Sequence, residues 1–341
     1  MGSVDGLDTD ALRTWLDQEA PDLLPGPLEA RLITGGKSNL TYTVTNGSTA
    51  VVVRRPPLGH VLATAHDMGR EYRAMAALAG SAVPVPTMYA HCEDDTVIGA
   101  PFYVMELIEG TPYKRAAELE QLGPERTRAI ADRLIDTLAD LHAVDYRAVG
   151  LGEFGRPDGY LERQVRRWSK QLEASRSREI DGIDELAQRL ARAIPASGDA
   201  TIVHGDYRLD NALVDADDQI TAVLDWEMST LGDPLTDVAL LLCYHTMAIE
   251  SAGSPGAAAV TDAPLAAGYP SPDEVLQRYA QASGRAVDDI GWHLGLAFFK
   301  LAVILEGIYF RYTQGQTVGE GFADIGDSIV PLVQAGLSAT D

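Results

Sequence analysis

The stretch HGDYRLDNALVD, His204 to Asp215, together with VLDWEMSTLGDP, Val223 to Pro234, decides how the rest of the chain is organised. Asp206 and Asn211 lie five positions apart on a turn that leads into an apolar strand, and Asp225 follows fourteen positions after Asn211 at the end of a second apolar strand. This set of groups suits one kind of chemistry. A carboxylate takes a proton from a hydroxyl, while a carboxamide oxygen and a second carboxylate hold Mg2+ against a polyphosphate. Taken singly, each element has a plain structural explanation: a turn with a buried His204, a turn cap at Asn211, a strand end at Asp225.

Immediately downstream, Asp233 and Pro234 form a helix start, with Asp as N-cap and Pro at the first helical position. Asp237 then falls in the first turn, where a favourable interaction with the helix dipole is one role open to it. Further on, SAGSPGAAAVTDAPLAAGYPSP, 251 to 272, is low in complexity and rich in Ala, Gly and Pro, the composition of a mobile loop. Two or three helices should finish the chain. The longest apolar run, Trp292 to Tyr312, is interrupted by Lys300, Glu306 and Arg311, which fits a core helix better than a membrane span.

Upstream, GPERTRAIADRLIDTLADLH places Ile130, Leu134, Leu138 and Leu141 on one helical face, with His142 as a packing or capping residue at its end. Two polar helices follow in the segment DGYLERQVRRWSKQLEASRSREIDGIDELAQRLARAIP. The first hundred residues differ. After a short helix beginning near Asp8 and ended by the Pro-rich PDLLPGP, the pattern from Arg31 becomes β: RLITGGKSNLTYTV, the turn TNGS, then TAVVVRRPP. Asn46-Gly47 between two alternating runs predicts a hairpin. Gly35 and Gly36 sit at the tip joining the first two strands. The segment AHDMGREYRAMAALAG predicts a helix with Met68, Tyr72, Met75 and Ala79 on one stripe and Glu71 bordering it. Two more strands fill the run from Val83 to Gly110.

Composition limits the function. The chain has 341 residues, enough for one two-lobed unit or two small domains, and carries 27 basic against 50 acidic residues, a net charge of −23. That balance argues against nucleic acid and anionic membranes as partners. It would steer a cationic substrate inward, or serve solubility in a salty cytoplasm. Cys92 and Cys243 stand far apart without CxxC spacing, so neither a disulfide framework nor a zinc site is expected. The acidic N-terminus MGSVDGLDTD lacks the apolar core of a signal peptide, and the expected location is the cytoplasm.

HGDYRLDN followed by DWE resembles the aminoglycoside phosphotransferase and choline kinase-like family, relatives of protein kinases. The combination of RRPP, AHDMGREYR, GAPFYVME, HGDYRLDN and DWEMSTLGDP is most similar to the kinase-like branch associated with acyl-CoA dehydrogenases. The similarity runs from about Leu32 to about Leu332. The resemblance implies an α+β, protein kinase-like two-lobed fold: a small antiparallel sheet lobe with one long helix, and a larger, mainly helical lobe. The expected domains are 1–108, with 1–28 as a helical lead-in, and 109–341.

By the same resemblance Asp206 orients and deprotonates the acceptor hydroxyl, Asn211 and Asp225 bind Mg2+, and His204 holds the loop. Gly36, Ser38 and Asn39 belong to the tip that covers the nucleotide phosphates. Arg54 stands where the wider kinase pattern has Lys, pairing with Glu71 to position phosphates, with Lys37 as a fallback cation and an exposed edge-strand Arg as the plain alternative. Backbone groups near Glu106 and Ile108 form the hinge that meets adenine. Asp237 would brace the catalytic loop. Arg208 either faces the acceptor, favouring an anionic or carbonyl-bearing substrate over polycationic aminoglycosides, or pairs with Asp237 or Asp210.

The expected activity is therefore an ATP- and Mg2+-dependent kinase acting on a small-molecule hydroxyl, with GTP left open as donor. A hydroxyacid or hydroxyacyl-CoA is the implied acceptor, and a functional link to acyl-CoA dehydrogenase is the implied partnership. An aminoglycoside-type phosphotransferase and a nucleotide-binding regulatory module without transfer activity are the alternatives.

Overall fold

In the computed structural model the residues described are 5–33, 39–58, 67–251, 261–316 and 323–341. The chain divides into two compact units: Met1–Gly110 with Thr221–Ser229, and Thr111–Ile220 with Thr230–Asp341. A five-stranded antiparallel sheet in one and a mainly helical second unit make the protein α+β.

The first unit is built on β1 (Glu29–Leu32), β2 (Leu40–Thr45), β3 (Ala50–Arg55), β4 (Met88–Cys92) and β5 (Phe102–Glu106), in the order β1-β2-β3-β5-β4. The turn between β2 and β3 is made by Asn46, whose Oδ1 accepts from the backbone N–H of Ser48 and Thr49, and by Gly47 at φ +91°. This αL position is open to glycine without a Cβ penalty. The hairpin sets Tyr42 opposite Val53 and Thr41 opposite Arg54. The strand period of two then sorts side chains between the two faces. Val51 and Val53 join Phe102 and Val104 in a core with Leu12, Leu16 and Leu24, so α1 (Thr9–Glu19) and the lead-in around it cover that face. A fully buried aliphatic side chain is worth about 1.5–3 kcal/mol, so these leucines tie the lead-in to the sheet.

On the other face Val52 pairs with Met105 and Arg54 with Tyr103, beside α2 (Met68–Leu78). The buried residues of α2 are Met68, Glu71, Ala74, Met75 and Leu78, not the stripe through Tyr72 and Ala79 expected from sequence. The helix is rotated so that Glu71 is wholly buried, because three polar partners receive it there. Residues 221–229, assigned by chain order to the second domain, also belong to this unit. The indole of Trp226 is 0 % exposed, the Val223 N–H donates to Pro84 O at 2.8 Å, and Arg70 Nε donates to Ser229 O at 2.8 Å.

The second unit contains α3 (Ala116–Glu120), α4 (Pro124–Ala143), α5 (Tyr160–Ser175), α6 (Ile183–Arg192), β6 (Thr201–Val203), β7 (Ala212–Val214), β9 (Thr230–Gly232), α7 (Leu235–Ser251), α8 (Pro272–Ser283), α9 (Gly291–Thr313) and α10 (Ile329–Ala339). The remaining strand, β8 (Ile220–Val223), marks the passage from this unit back into the first. β6 and β9 pair antiparallel, Val203 against Thr230, and close the base of the loop that follows β6. α9 is long and apolar enough to cross a membrane by composition, yet it packs against α5, α6, α7 and α10 and is a core helix. Of the stretch expected to be a mobile loop, 252–260 lie outside the described residues. The remainder is anchored: Thr261 Oγ1 donates to Lys114 O, Asp262 accepts from the Ala116 N–H, and Ala263 and Ala266 are buried around a single 3-10 turn. Cys92 and Cys243 are both buried free thiols.

Candidate functional site

In the first unit the polar centre is Arg54, on the central strand β3. Its Nε lies 3.3 Å from Glu71 Oε2 and its Nη2 2.5 Å from Asp225 Oδ1. Tyr103, opposite Arg54 in the sheet, donates its hydroxyl to Glu71 Oε2 at 2.9 Å, and Asn39 Nδ2 donates to Glu71 Oε1 at 3.1 Å and to Glu227 Oε2 at 3.4 Å. An exposed edge-strand position for Arg54 is thereby ruled out. Burial pushes Glu71 above the usual carboxylate range, although Arg54 and the Tyr103 hydroxyl pull the other way. Burial would also weaken the Arg54 cation, but Tyr103, Glu71 and Asp225 more than offset it, and the guanidinium is held still more firmly charged than usual. Asp225 itself sits at φ +66°, ψ +57°, a left-handed conformation that Asp tolerates better than most residues. Its place at a strand end before a one-turn 3-10 segment, with Trp226 anchored below, aims its carboxylate at Arg54.

In the second unit the loop after β6 carries the second centre. Gly205 turns the chain at φ +84°, and Asp237 receives the backbone N–H of His204 at 2.7 Å and of Gly205 at 2.8 Å. Asp237 is thus a brace for the loop rather than a first-turn acid acting through the helix dipole. His142 stands behind it, Nε2 3.3 Å from Asp237 Oδ2 and Nδ1 2.7 Å from the Tyr279 hydroxyl. Burial alone would raise Asp237, but the His142 hydrogen bond, the two histidines and the Gly205 N–H hold it below the usual carboxylate range. His204 uses its ring on the loop itself, Nδ1 accepting from the Asp206 N–H at 3.2 Å.

The Asp206 carboxylate is held at both oxygens. Tyr244 donates to Oδ1 at 2.6 Å, and Asn211 Nδ2 donates to Oδ2 at 3.2 Å and to the Asp206 carbonyl at 2.8 Å. Arg208 Nε lies 3.5 Å from Asp206 Oδ2 and 3.2 Å from Asp210 Oδ1, with its guanidinium over the Tyr244 ring at 4.9 Å. Burial would raise Asp206, but Arg208, the Tyr244 hydroxyl, Lys300 and His204 together hold it below the usual range. It is an ionised carboxylate at neutral pH. Asp210, shielded from water and close to Asp206, is raised despite Arg208.

Of the residues singled out by sequence, the structure brings Arg54, Glu71 and Asp225 together in one unit, with Asn39 beside them, and Asp206, Arg208 and Asn211 together in the other. Asn39 departs from its expected role as a phosphate donor: its amide nitrogen is committed to Glu71 and Glu227, because buried carboxylates next to it require donors. Gly36 and Ser38, with Lys37, lie outside the described residues. At the expected hinge the Glu106 N–H is already taken by Thr87 O at 2.9 Å, and its side chain accepts from the Thr87 N–H and hydroxyl. Ile108 follows the end of β5 in irregular chain. Sequence reasoning missed Tyr103, Glu227, Tyr244 and Lys300. Only Lys300 left a trace, as a charge interrupting an apolar helix.

The profile of the phosphotransferase enzyme family matches residues 29–287. Acyl-CoA dehydrogenase family member 10 of Mus musculus is 37 % identical over 311 residues, covering 90 % of this chain and 29 % of that relative. The curated relatives it matches are much longer, and the chain spans 29 to 43 % of their length. A crystal structure from Ralstonia eutropha JMP134, provisionally described as an aminoglycoside phosphotransferase, is 36 % identical, with a TM-score of 0.83 and 98 % of each chain covered. Aminoglycoside phosphotransferase APH(4)-Ia, crystallised with AMP-PNP and hygromycin B, shares the fold at a TM-score of 0.60 and 16 % identity, over 96 % of this chain and 98 % of that one.

Proposed function

This chain belongs to the phosphotransferase enzyme family, and from that premise we propose that it transfers the γ-phosphate of ATP to a hydroxyl group of a small molecule. The observation that carries the proposal is the setting of Asp206: its carboxylate is oriented at both oxygens by Tyr244 and Asn211, on a loop that Asp237 ties down by two backbone N–H groups. A carboxylate held below the usual range is a weak base. It therefore acts first by orienting the acceptor hydroxyl and takes the proton late, as the oxygen–phosphorus bond forms and the bond to the departing ADP breaks.

Asn211 and Asp225 are the residues that would hold Mg2+. Asn211 spends its amide nitrogen on Asp206, so its other terminal atom is the hard oxygen such an ion accepts. Among the described residues no group of three or more His, Cys, Asp or Glu forms a ready metal cage. Magnesium commonly takes one or two protein ligands together with substrate phosphates and water. When bound, the ion neutralises charge on the triphosphate. Arg54, kept in place by Glu71 and Tyr103, supplies the cation for the phosphates that a strand Lys supplies in kinases, with a planar fork in place of a point charge.

For the acceptor, Arg208 beside the base favours a molecule with a carboxylate or carbonyl oxygen and disfavours a polycation. The similarity to an acyl-CoA dehydrogenase family member supports a hydroxyacid or its CoA thioester, and a functional link with acyl-CoA oxidation. The net charge of −23 favours the second reading, a cationic aminoglycoside, the class to which the hygromycin B bound by APH(4)-Ia belongs. The test is ADP release from Mg-ATP across panels of hydroxyacids, hydroxyacyl-CoAs and aminoglycosides, wild type against Asp206→Ala. The proposal expects turnover with the first two panels, a loss of roughly 10²–10⁴-fold in the variant, and retained thermal stabilisation by Mg-ATP. Turnover with aminoglycosides alone would reverse the acceptor assignment. No turnover by the wild type beside full Mg-ATP stabilisation would leave a nucleotide-binding module in its place.

A further inference from the structure

Two charged side chains, Lys300 and Glu306, interrupt the buried length of α9. Glu306 is accounted for by its neighbours: Oε1 accepts from the Ser177 N–H at 2.8 Å and the Ser177 hydroxyl at 2.7 Å, and Arg178 lies 3.5 Å from Oε2. Lys300 instead runs to the catalytic loop. Its ammonium donates to the Gly205 carbonyl at 2.6 Å and stands 5.7 Å from the centre of the Trp168 ring. It borders a cavity of about 30 Å³ shared with Tyr160, Gln164, Gly205 and His293, room enough for a water to serve the remaining ammonium protons.

An ammonium in these surroundings is costly. Burial pushes Lys300 below the usual lysine range, against the pull of Asp206 and Asp237. A core helix needing only stability would be served by an apolar residue of the same length. What the charge supplies becomes clear at Gly205. At φ +84° this position needs a glycine, whose backbone has the most freedom to lose, and it immediately precedes Asp206. Its N–H is tied to Asp237 on α7 and its carbonyl to Lys300 on α9. The residue is clamped on both sides from two different helices.

We infer that Lys300 is a positioning residue of the phosphotransfer site, holding the Gly205–Asp206 peptide so that the Asp206 carboxylate keeps its orientation toward the acceptor hydroxyl. The inference rests on Asp206 as the base. The groups facing Asp206 are Tyr244 on α7, Lys300 on α9, and His204, Arg208, Asp210 and Asn211 on its own loop; His204 and Asn211 hold the backbone from within the loop, whereas Lys300 holds it from another helix.

The experiment combines amide hydrogen exchange of the peptide 203–211 with steady-state ADP release from Mg-ATP, for wild type, Lys300→Met and Lys300→Arg. Lys300→Met should speed exchange of that peptide by about ten-fold or more while α5 and α10 stay near wild type. It should lower kcat about ten-fold with KM for Mg-ATP changed by less than roughly two-fold, the pattern of lost transition-state positioning rather than lost binding. Lys300→Arg, which restores a donor, should recover most of both effects. Wild-type exchange in 203–211, a rise in KM at constant kcat, or equal loss in the Met and Arg variants would each overturn the inference. If Lys300→Met fails to fold, Lys300→Ala, which likewise has no side-chain donor, decides by the same readouts. An Asp206→Asn control that kept wild-type kcat would remove the base assignment, and exchange at 203–211 would still report whether Lys300 holds the loop.

Discussion

In the first unit a cation, Arg54, is met by two acceptors, Glu71 and Asp225, and Glu71 in turn accepts from the Tyr103 hydroxyl. In the second an anion, Asp206, is surrounded by donors: Tyr244, Asn211, Arg208 and, one peptide away, Lys300. The two arrangements differ in how they hold their charge. Arg54 is held by two carboxylates, Glu71 and Asp225, on other elements of the same unit. Asp206 is held mainly by neutral donors and by a backbone fastened from behind. The first centre therefore depends on balanced charge, and the second on the backbone ties of its loop as well as on its donors.

Three substitutions put that difference to the test. Arg54→Ala should have the largest effect, because it leaves Glu71, 0 % exposed, without its counter-charge; loss of one partner from a buried pair costs about 3–5 kcal/mol. Urea unfolding measures it, and the sharper form is the double variant Arg54→Met/Glu71→Leu, which should recover much of the loss. Were the single variant as stable as wild type, the first centre would be decoration on a sheet that does not need it.

Asp237→Asn should come next. It keeps one acceptor for the loop and loses the other, about 1–3 kcal/mol. Because Asp237 is held below the unfolded carboxylate value of about 3.9, the stability it contributes is present above that value and is lost as pH falls through the lower folded value. Unfolding midpoints between pH 5 and pH 3 should therefore fall more steeply for wild type than for the variant. Parallel slopes would mean that the brace is not the titrating group. Smallest is Tyr244→Phe, which removes a single donor from Asp206 at a cost of about 1 kcal/mol, or roughly five-fold in turnover, with stability hardly changed. A loss as large as that of Asp206→Ala would make Tyr244 a second indispensable group and erase the contrast between the two centres.

The sheet of the first unit was legible because its signals are local. Asn46-Gly47 selects the hairpin, the period of two puts Arg54 on the face opposite Val51 and Val53, and the GDP run starts α7. The loop residues Asp206 and Asn211 were legible as a spacing. The rotation of α2 was not, since a count of apolar positions treats Glu71 as a surface residue; only the strand Arg54, with Tyr103 and Asn39 each 32 positions from Glu71, allows its burial. Tyr244 and Lys300 were hidden for the same reason, lying 38 residues from Asp206 and 95 residues from Gly205 along the chain. The commitment of Asn39 to Glu227, across 188 residues, has no local signature at all.

Because residues 221–229 pack with the first hundred and ten, that unit is discontinuous along the chain. A fragment cut after Gly110 would lack Trp226 and the carboxylate that meets Arg54, so dissecting the protein at its most obvious joint yields an unfinished module. Grafting 221–229 back through a short linker, or permuting the termini so that the two pieces become adjacent, is the route by which the first unit could be produced alone.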